Sequence, residues 1–352
     1  MKMNKYTILL ILIGLSFGSC KKDEVITELP QSQNVIYISN EGAFGFGNAS
    51  LSLYYPDENK LINHAFRDIN NRPLGDVLQS THRHNNRLYL LLNASSKIEV
   101  ADAITLEELD VIQNISMPRY MVSNDLNGYV SQWGNNGSVA IIDLELNRIM
   151  DSIAVGTGPE KMILTDNYLM VCNSGGFGVD SSISVIDIHN NQLIKTLVVG
   201  DIPIDILQLQ DKTIWVLCKG KIIYDASWQV IGHSPSKLVK ISESTLSIEK
   251  EVNLFADQHP AQMTFNSLSS NIHVGGGFGF QGIYEFDLST ELLNSVPLSS
   301  RSFYGIGSDM NGQLYGFESP SFSAEGKMIR MNSQGNVLEE YQVGIGPNGM
   351  SW

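Results

Sequence analysis

Two sets of residues in this 352-residue chain could meet a ligand. The first is aromatic and set among glycines. Phe44 and Phe46 lie in Phe44-Gly45-Phe46-Gly47, Phe177 in Gly176-Phe177-Gly178, and Phe278 and Phe280 in Gly277-Phe278-Gly279-Phe280. Trp133, Trp228 and Phe322 stand in comparable segments. Aromatic rings bury a large area at small entropic cost, so such a set suits a flat or partly apolar ligand. The other reading is that these rings pack over the protein's own loops. The second set is polar: Arg119, Tyr120, Glu160, Lys161, Asp205, Gln262 and Tyr304. It mixes charge, amide and hydroxyl groups, as a set that orients a bound molecule does.

Signals for catalysis or a cofactor are weak. Gly275 to Gly282 neither follows a strand nor opens a helix, so the dinucleotide fingerprint fails on context, and no phosphate-loop Lys-Ser/Thr signature is present. No nucleophile elbow and no spaced Ser/His/Asp set stands out. His82 and His84 lie two apart on one strand, but two nitrogens without an acidic or thiolate third ligand make a poor metal site. His273 falls in a slot that is otherwise aromatic and is read as core; His259, before Pro260, is a possible contact. Cys172 and Cys218 fall near the ends of neighbouring strands, too far apart to bridge, and are expected as free thiols. The reading is therefore of a non-enzyme with no catalytic residue, metal or cofactor.

The elements that position these residues repeat. An aliphatic residue followed by an aromatic recurs as Ile36-Tyr37, Leu88-Tyr89, Gly128-Tyr129, Ile214-Trp215, Ile272-His273 and Leu314-Tyr315, with Tyr168-Leu169 a looser fit. The second residues are spaced by 52, 40, 40, 46, 58 and 42, close to the period of four-stranded propeller blades. Upstream, Pro118, Pro159, Pro203, Pro260 and Pro347 are each followed at the third position by Met or Ile, and Phe303 with Ile306 keeps the offset. Proline cannot donate in a sheet ladder and belongs at a strand start. Each repeat has a third strand, such as Val139 to Ile142, and Asp102, Asp143, Asp187 and Asp287 follow four of them as turn residues. The first repeat lacks its leading strand, and Gly346 to Trp352 reproduce it. Residues 34–352 therefore read as an all-β, seven-bladed β-propeller closed by its C-terminal strand, a closure that removes open sheet edges.

Within a repeat the strands run A to D from the channel outward. The A–B and C–D links are short, whereas the B–C links are long: 40–48, 133–137, 173–182, 219–236, 275–281 and 318–326. Alternating strand direction puts the long links and the first residues of the A strands on one face, where binding residues on a rigid scaffold usually lie. Both sets of candidate residues fall there.

Hydrophobic residues are 43% and charged residues 17% of the chain, so it can bury a core. The net charge of −14 argues against nucleic acid, which needs a basic face. Residues 1–20 read as a lipoprotein signal: Lys2 and Lys5, an apolar run from Ile8 to Leu15, then small residues before Cys20, the lipidation site. Cys20-Lys21-Lys22-Asp23-Glu24 is similar to the acidic export tag of surface-exposed lipoproteins, and 21–33 read as a flexible tether.

The leader, the Val-Gly-x-x-Pro repeat starts and the segment Asn40-Glu41-Gly42-Ala43-Phe44-Gly45-Phe46-Gly47-Asn48-Ala49-Ser50 resemble surface lipoprotein propellers of the YncE-like superfamily. Within that superfamily the chain is similar to the BtuG family of cobalamin-capture lipoproteins. The resemblance covers 34–352 and assigns no individual contact residue. It implies a lipid-anchored outer-membrane protein facing the cell exterior. Such a protein binds cobalamin or another corrinoid as a transported ligand on the loop-rich face and passes it to a TonB-dependent outer-membrane transporter. The alternative is an interaction or adhesion module for a protein or glycan partner. Replacing Cys20 with Ala is expected to move the protein from the membrane fraction to the soluble one, since stable anchoring needs the acyl chains. A variant that fractionates with membranes as wild type does would refute the lipoprotein reading.

Overall fold

The computed structural model describes residues 29–30, 32–134 and 136–352. The signal peptide, Cys20 and most of the tether lie outside the described residues.

Seven four-stranded antiparallel sheets form a ring of blades. The A strands that line the channel are Pro347–Ser351 in blade 1, then Leu78–His84, Pro118–Ser123, Pro159–Leu164, Pro203–Gln208, Gln262–Asn266 and Gly305–Ser308 in blades 2 to 7. The B strands, such as Arg87–Leu92, and the C strands, such as Ser138–Asp143, are buried along almost their whole length. Each sheet stacks on a neighbour at both faces, so its middle strands read as continuous apolar runs rather than alternating ones. The outer strands, such as Gln192–Val198, are mostly exposed.

Among the described residues there is no central core. Apolar side chains form seven separate clusters, one at each contact between adjacent blades. The repeated aromatic slot feeds five of them, through Tyr37, Tyr89, Tyr129 with Leu169, Trp215 and Tyr315, and these residues and His273 are all fully or almost fully buried. His273 fills its slot as a core residue and reaches Glu285 at 3.3 Å. The four aspartates after the C strands act as turn residues. Asp102, for example, accepts hydrogen bonds from the N–H groups of Ile104 and Thr105, and Asp287 from those of Ser289 and Thr290. Cys172 and Cys218 are buried free thiols between blades 4 and 5, and burial pushes the Cys218 thiol up to about 12.

The C-terminal strand pairs antiparallel with Ile36–Asn40, with Ile38 opposite Met350 and Ser39 opposite Gly349. Blade 7 leaves room for it: a Cβ on Gly305 would sit 2.3 Å from the Asn348 carbonyl oxygen, and one on Gly307 would sit 2.8 Å from Met350. Three features go beyond the sequence reading. A short helix, Ala65–Asn70, links blades 1 and 2 and buries Ala65 and Phe66. The long B–C link of blade 5 folds into a separate hairpin, Lys221–Tyr224 with Val230–Ser234. Trp352 is 48% exposed and so adds little to closure, because it lies one residue past the paired strand. Among the described residues no helix is long and apolar enough to cross a membrane.

Deleting 346–352 is expected to abolish cooperative melting or lower it by many degrees. It strips blade 1 of a strand and opens the ring, in a fold whose total stability is about 5–15 kcal/mol. Trp352→Ala should stay within about 0.5 kcal/mol of wild type, as exposed substitutions do. Circular dichroism melts of the two variants check this, and wild-type melting of the truncation would refute closure by this strand.

Candidate ligand-binding site

A cavity of about 670 Å³ opens at the loop-rich end of the channel. Each blade contributes to it twice. The starts of the A strands form the floor: Asn348, Gln79, Arg119, Glu160, Ile204, Gln262 and Tyr304, from blades 1 to 7 in turn. The B–C links form the rim in the same order: Phe44, Asn93, Trp133, Phe177, Lys219, Phe278 and Phe322. The arrangement follows from the repeat, because successive strands run in opposite directions and corresponding residues of each blade face one axis.

The floor is held by polar contacts between blades. Arg119 makes a two-pronged ion pair with Glu160, both contacts at 3.1 Å, and also donates to the side-chain oxygen of Gln79. Its guanidinium lies 4.2 Å from the centre of the Trp133 ring, which meets Phe177 edge-on at 5.2 Å. Burial pushes the Glu160 carboxyl above the usual carboxylate range, and the Arg119 guanidinium works against that. The Trp133 indole N–H also favours the ionised carboxylate, but it is buried without closing a hydrogen bond of full geometry. Glu41, on the blade 1 side, accepts hydrogen bonds from the Tyr304 hydroxyl at 3.1 Å and the Asn348 amide at 2.9 Å. Tyr304 in turn meets Phe322 edge-on at 5.4 Å.

Ten of the fifteen candidate residues line this cavity: Phe44, Arg119, Tyr120, Trp133, Glu160, Phe177, Gln262, Phe278, Tyr304 and Phe322. The other five lie elsewhere. Lys161 turns deeper into the channel, where it lines a space of about 120 Å³ below the floor. It pairs with Asp205 at 2.5 Å, and Asp205 is buried and accepts from the backbone N–H groups of Ile206 and Met263. Phe280 is only 3% exposed and packs against Phe255 and Tyr284, so it is a core residue. Phe46 is exposed at its loop tip, away from the cavity lining. Trp228 is 81% exposed on the blade 5 hairpin, beside Tyr224.

Sequence reasoning missed Glu41, Gln79, Lys219 and Asn348 as cavity residues. Asn348 directly follows Pro347, just as Arg119 and Glu160 follow their prolines, so the repeat offset does locate it. Gln79 has no such proline before it. His82 and His84 both contact the Ser123 hydroxyl, at 2.8 and 3.0 Å. Burial, reinforced by His84, pushes the His82 imidazole down to about 4. Among the described residues, no cluster of three or more His, Cys, Asp or Glu is placed to hold a metal ion. His259 lies behind the rim, bonded to the Lys219 carbonyl and to His233.

The fold and this site define a β-propeller with one cavity end built by all seven blades. Residues 34–277 match the family described as Domain of unknown function (DUF5074), and the chain belongs to that family. A comparison with curated proteins finds no match. Among solved structures the chain is similar to a putative 6-phosphogluconolactonase from Bacteroides fragilis, with 12% identity over 92% of this chain and 99% of that one and a TM-score of 0.65. It is also similar to a quinonprotein alcohol dehydrogenase-like protein from Bacteroides thetaiotaomicron, with 16% identity over 91% and 78% of the two chains and a TM-score of 0.65. Apo AztD from Citrobacter koseri matches with 10% identity over 89% and 82% and a TM-score of 0.54. At these identities the likeness shows the propeller fold alone.

Burial raises the Glu41 carboxyl above its ordinary value, against the hydrogen bonds from Asn348 and Tyr304. A carboxyl whose folded-state value is raised contributes stability that is present below the unfolded value and drains away as pH rises through the folded one. Glu41→Gln keeps the acceptor oxygen and removes the charge. It should melt with wild type at pH 4 and at or above wild type at pH 7. A Glu41→Gln deficit that grows from pH 4 to pH 7 in thermal melts would refute this account of Glu41.

Proposed function

We propose that this protein captures a corrinoid, cobalamin foremost, at the loop-rich mouth of the channel, and does so without chemical turnover. In this reading it is lipid-anchored through Cys20 to the outer membrane, faces the cell exterior, and hands its ligand to a TonB-dependent transporter. The observation that carries the binding reading is the rim. Phe44, Phe177 and Phe278 are 78%, 91% and 85% exposed, yet they converge from three blades on one cavity with a polar floor. Burying each such ring returns roughly 1.5–3 kcal/mol, and exposed apolar surface gathered at a cavity marks a binding site. The floor supports binding over catalysis, because Glu160 and Asp205 are committed to Arg119 and Lys161. The leader and the resemblance of 34–352 to cobalamin-capture lipoproteins supply the ligand class and the location.

A second reading, a protein or glycan partner, is favoured by the blade 5 hairpin. Tyr224, Trp228 and Ile231 stand exposed on it beside the same mouth.

Titrating cobalamin and cobinamide into the purified protein by calorimetry tests the first reading. Phe44→Ala and Phe278→Ala should each weaken binding by tenfold or more, since anchoring aromatics cost about 2 kcal/mol when truncated. Leu126→Ala, an equally exposed apolar change on the opposite face, should leave affinity unchanged. Absence of heat with either corrinoid at micromolar protein would refute the corrinoid assignment.

A further inference from the structure

Every blade places at least one residue on the rim of the cavity, and blade 5 places a lysine there. Lys219 stands between Phe177 of blade 4 and Phe278 of blade 6 in the order of the ring. The other cations along the channel are neutralised within the protein: Arg119 by Glu160 at 3.1 Å and, below the floor, Lys161 by Asp205 at 2.5 Å. Among the described residues the Lys219 ammonium closes no ion pair and no hydrogen bond, and the Glu160 carboxylate acts on it only from a distance. The nearby Glu160 carboxylate is already taken by both prongs of Arg119.

Lys219 is not a loose surface lysine. Its backbone N–H donates to the Ile202 carbonyl at 2.9 Å, and its own carbonyl accepts from His259 Nδ1 at 2.9 Å. That donation assigns the His259 proton to Nδ1, leaving Nε2 to accept from His233 Nδ1 at 2.9 Å, with the two rings end to end and their centres 5.2 Å apart. The hairpin and the entry to blade 6 therefore clamp the lysine from behind. Partial burial pulls its ammonium below the ordinary lysine value. A desolvated cation without a counter-ion is costly, and the cost is relieved when a ligand brings the anion.

We infer that Lys219 is the anion anchor of this cavity, so that the bound molecule carries one phosphate, sulfonate or carboxylate group beside a flat apolar body. The inference rests on the binding reading of the cavity and does not depend on the corrinoid assignment. Orientation follows from the same charges. Glu160 is matched by Arg119, so the unmatched Lys219 ammonium of blade 5 draws the anionic group while the apolar body meets Phe44 and Phe278.

The test uses two fluorescent probes of matched shape. 8-Anilinonaphthalene-1-sulfonate carries one anionic group on a flat body, and N-phenyl-1-naphthylamine is the same body without it. Wild-type protein should bind the sulfonate more tightly than the neutral dye. Lys219→Gln should weaken the sulfonate about tenfold, the scale of one charge-assisted contact, and leave the neutral dye unchanged. Lys219→Arg should restore most of the loss. Equal melting temperatures of the three proteins establish that folding is intact. No binding of the sulfonate, no preference for it, or an equal loss of both dyes in Lys219→Gln overturns the inference. Calorimetry with cobalamin, which carries a phosphodiester, and cobinamide, which lacks it, separates the two readings. Dye discrimination without corrinoid binding defeats the corrinoid assignment and leaves the anchor standing. Corrinoid binding insensitive to Lys219→Gln, with no dye discrimination, does the reverse.

Discussion

Pairing of the last strand, Pro347–Ser351, with Ile36–Asn40 is the contact on which the remainder of the molecule depends. Each apolar cluster lies between two blades, so six would form in an open arc. The seventh, which joins Tyr315 and Phe317 to Ile36 and Ile38, exists only when blade 7 meets blade 1. The closing strand also builds the site. Asn348 accepts from the Ser39 hydroxyl and donates to Glu41 and to the Gln79 carbonyl, and its own carbonyl accepts from Gln262. Blades 1, 2 and 6 therefore meet at one asparagine beneath the cavity.

These contacts continue around the channel as a closed belt. Gln79 joins blade 2 to Arg119, Arg119 joins blade 3 to Glu160, and Lys161 joins blade 4 to Asp205. Asp205 accepts from the Met263 N–H of blade 6, Gln262 accepts from the Ile306 N–H of blade 7, and Tyr304 donates to Glu41 of blade 1. Buried charges persist in this way when each is paired and hydrogen-bonded. A floor so fixed needs no rearrangement to receive a ligand, which lowers the cost of binding. Apolar exposure is left to the rim, where Phe44, Phe177 and Phe278 carry the area. The division between a rigid polar floor and an exposed aromatic rim distinguishes this cavity from the open depression of about 580 Å³ on the opposite face. In that depression Asp211 serves its own turn through Thr213, Asp166 pairs with Lys212 and Glu243 accepts from Gln208.

The sequence by itself determined the blades. Strand period, the proline at the A-strand start and the aromatic in the B strand are local signals, and each is repeated often enough to be read against its neighbours. Middle strands buried on both faces appear as apolar runs such as Arg87–Leu92, and turn aspartates mark where those runs end. Even the closing strand was legible, because the first repeat lacks a part that the last residues supply. Tertiary structure alone decided which candidates face the cavity. Phe278 and Phe280 are two residues apart in one glycine-rich loop, yet one is 85% exposed on the rim and the other 3% exposed in the core. Glu160 and Lys161 are adjacent, and at the register shift between Pro159 and Met162 one goes to the floor and the other below it. Lys219 carries no local mark at all. Its role depends on which neighbours pair the other cations, and those pairs join blades about 40 residues apart in the chain, a relation that exists only once the ring has closed.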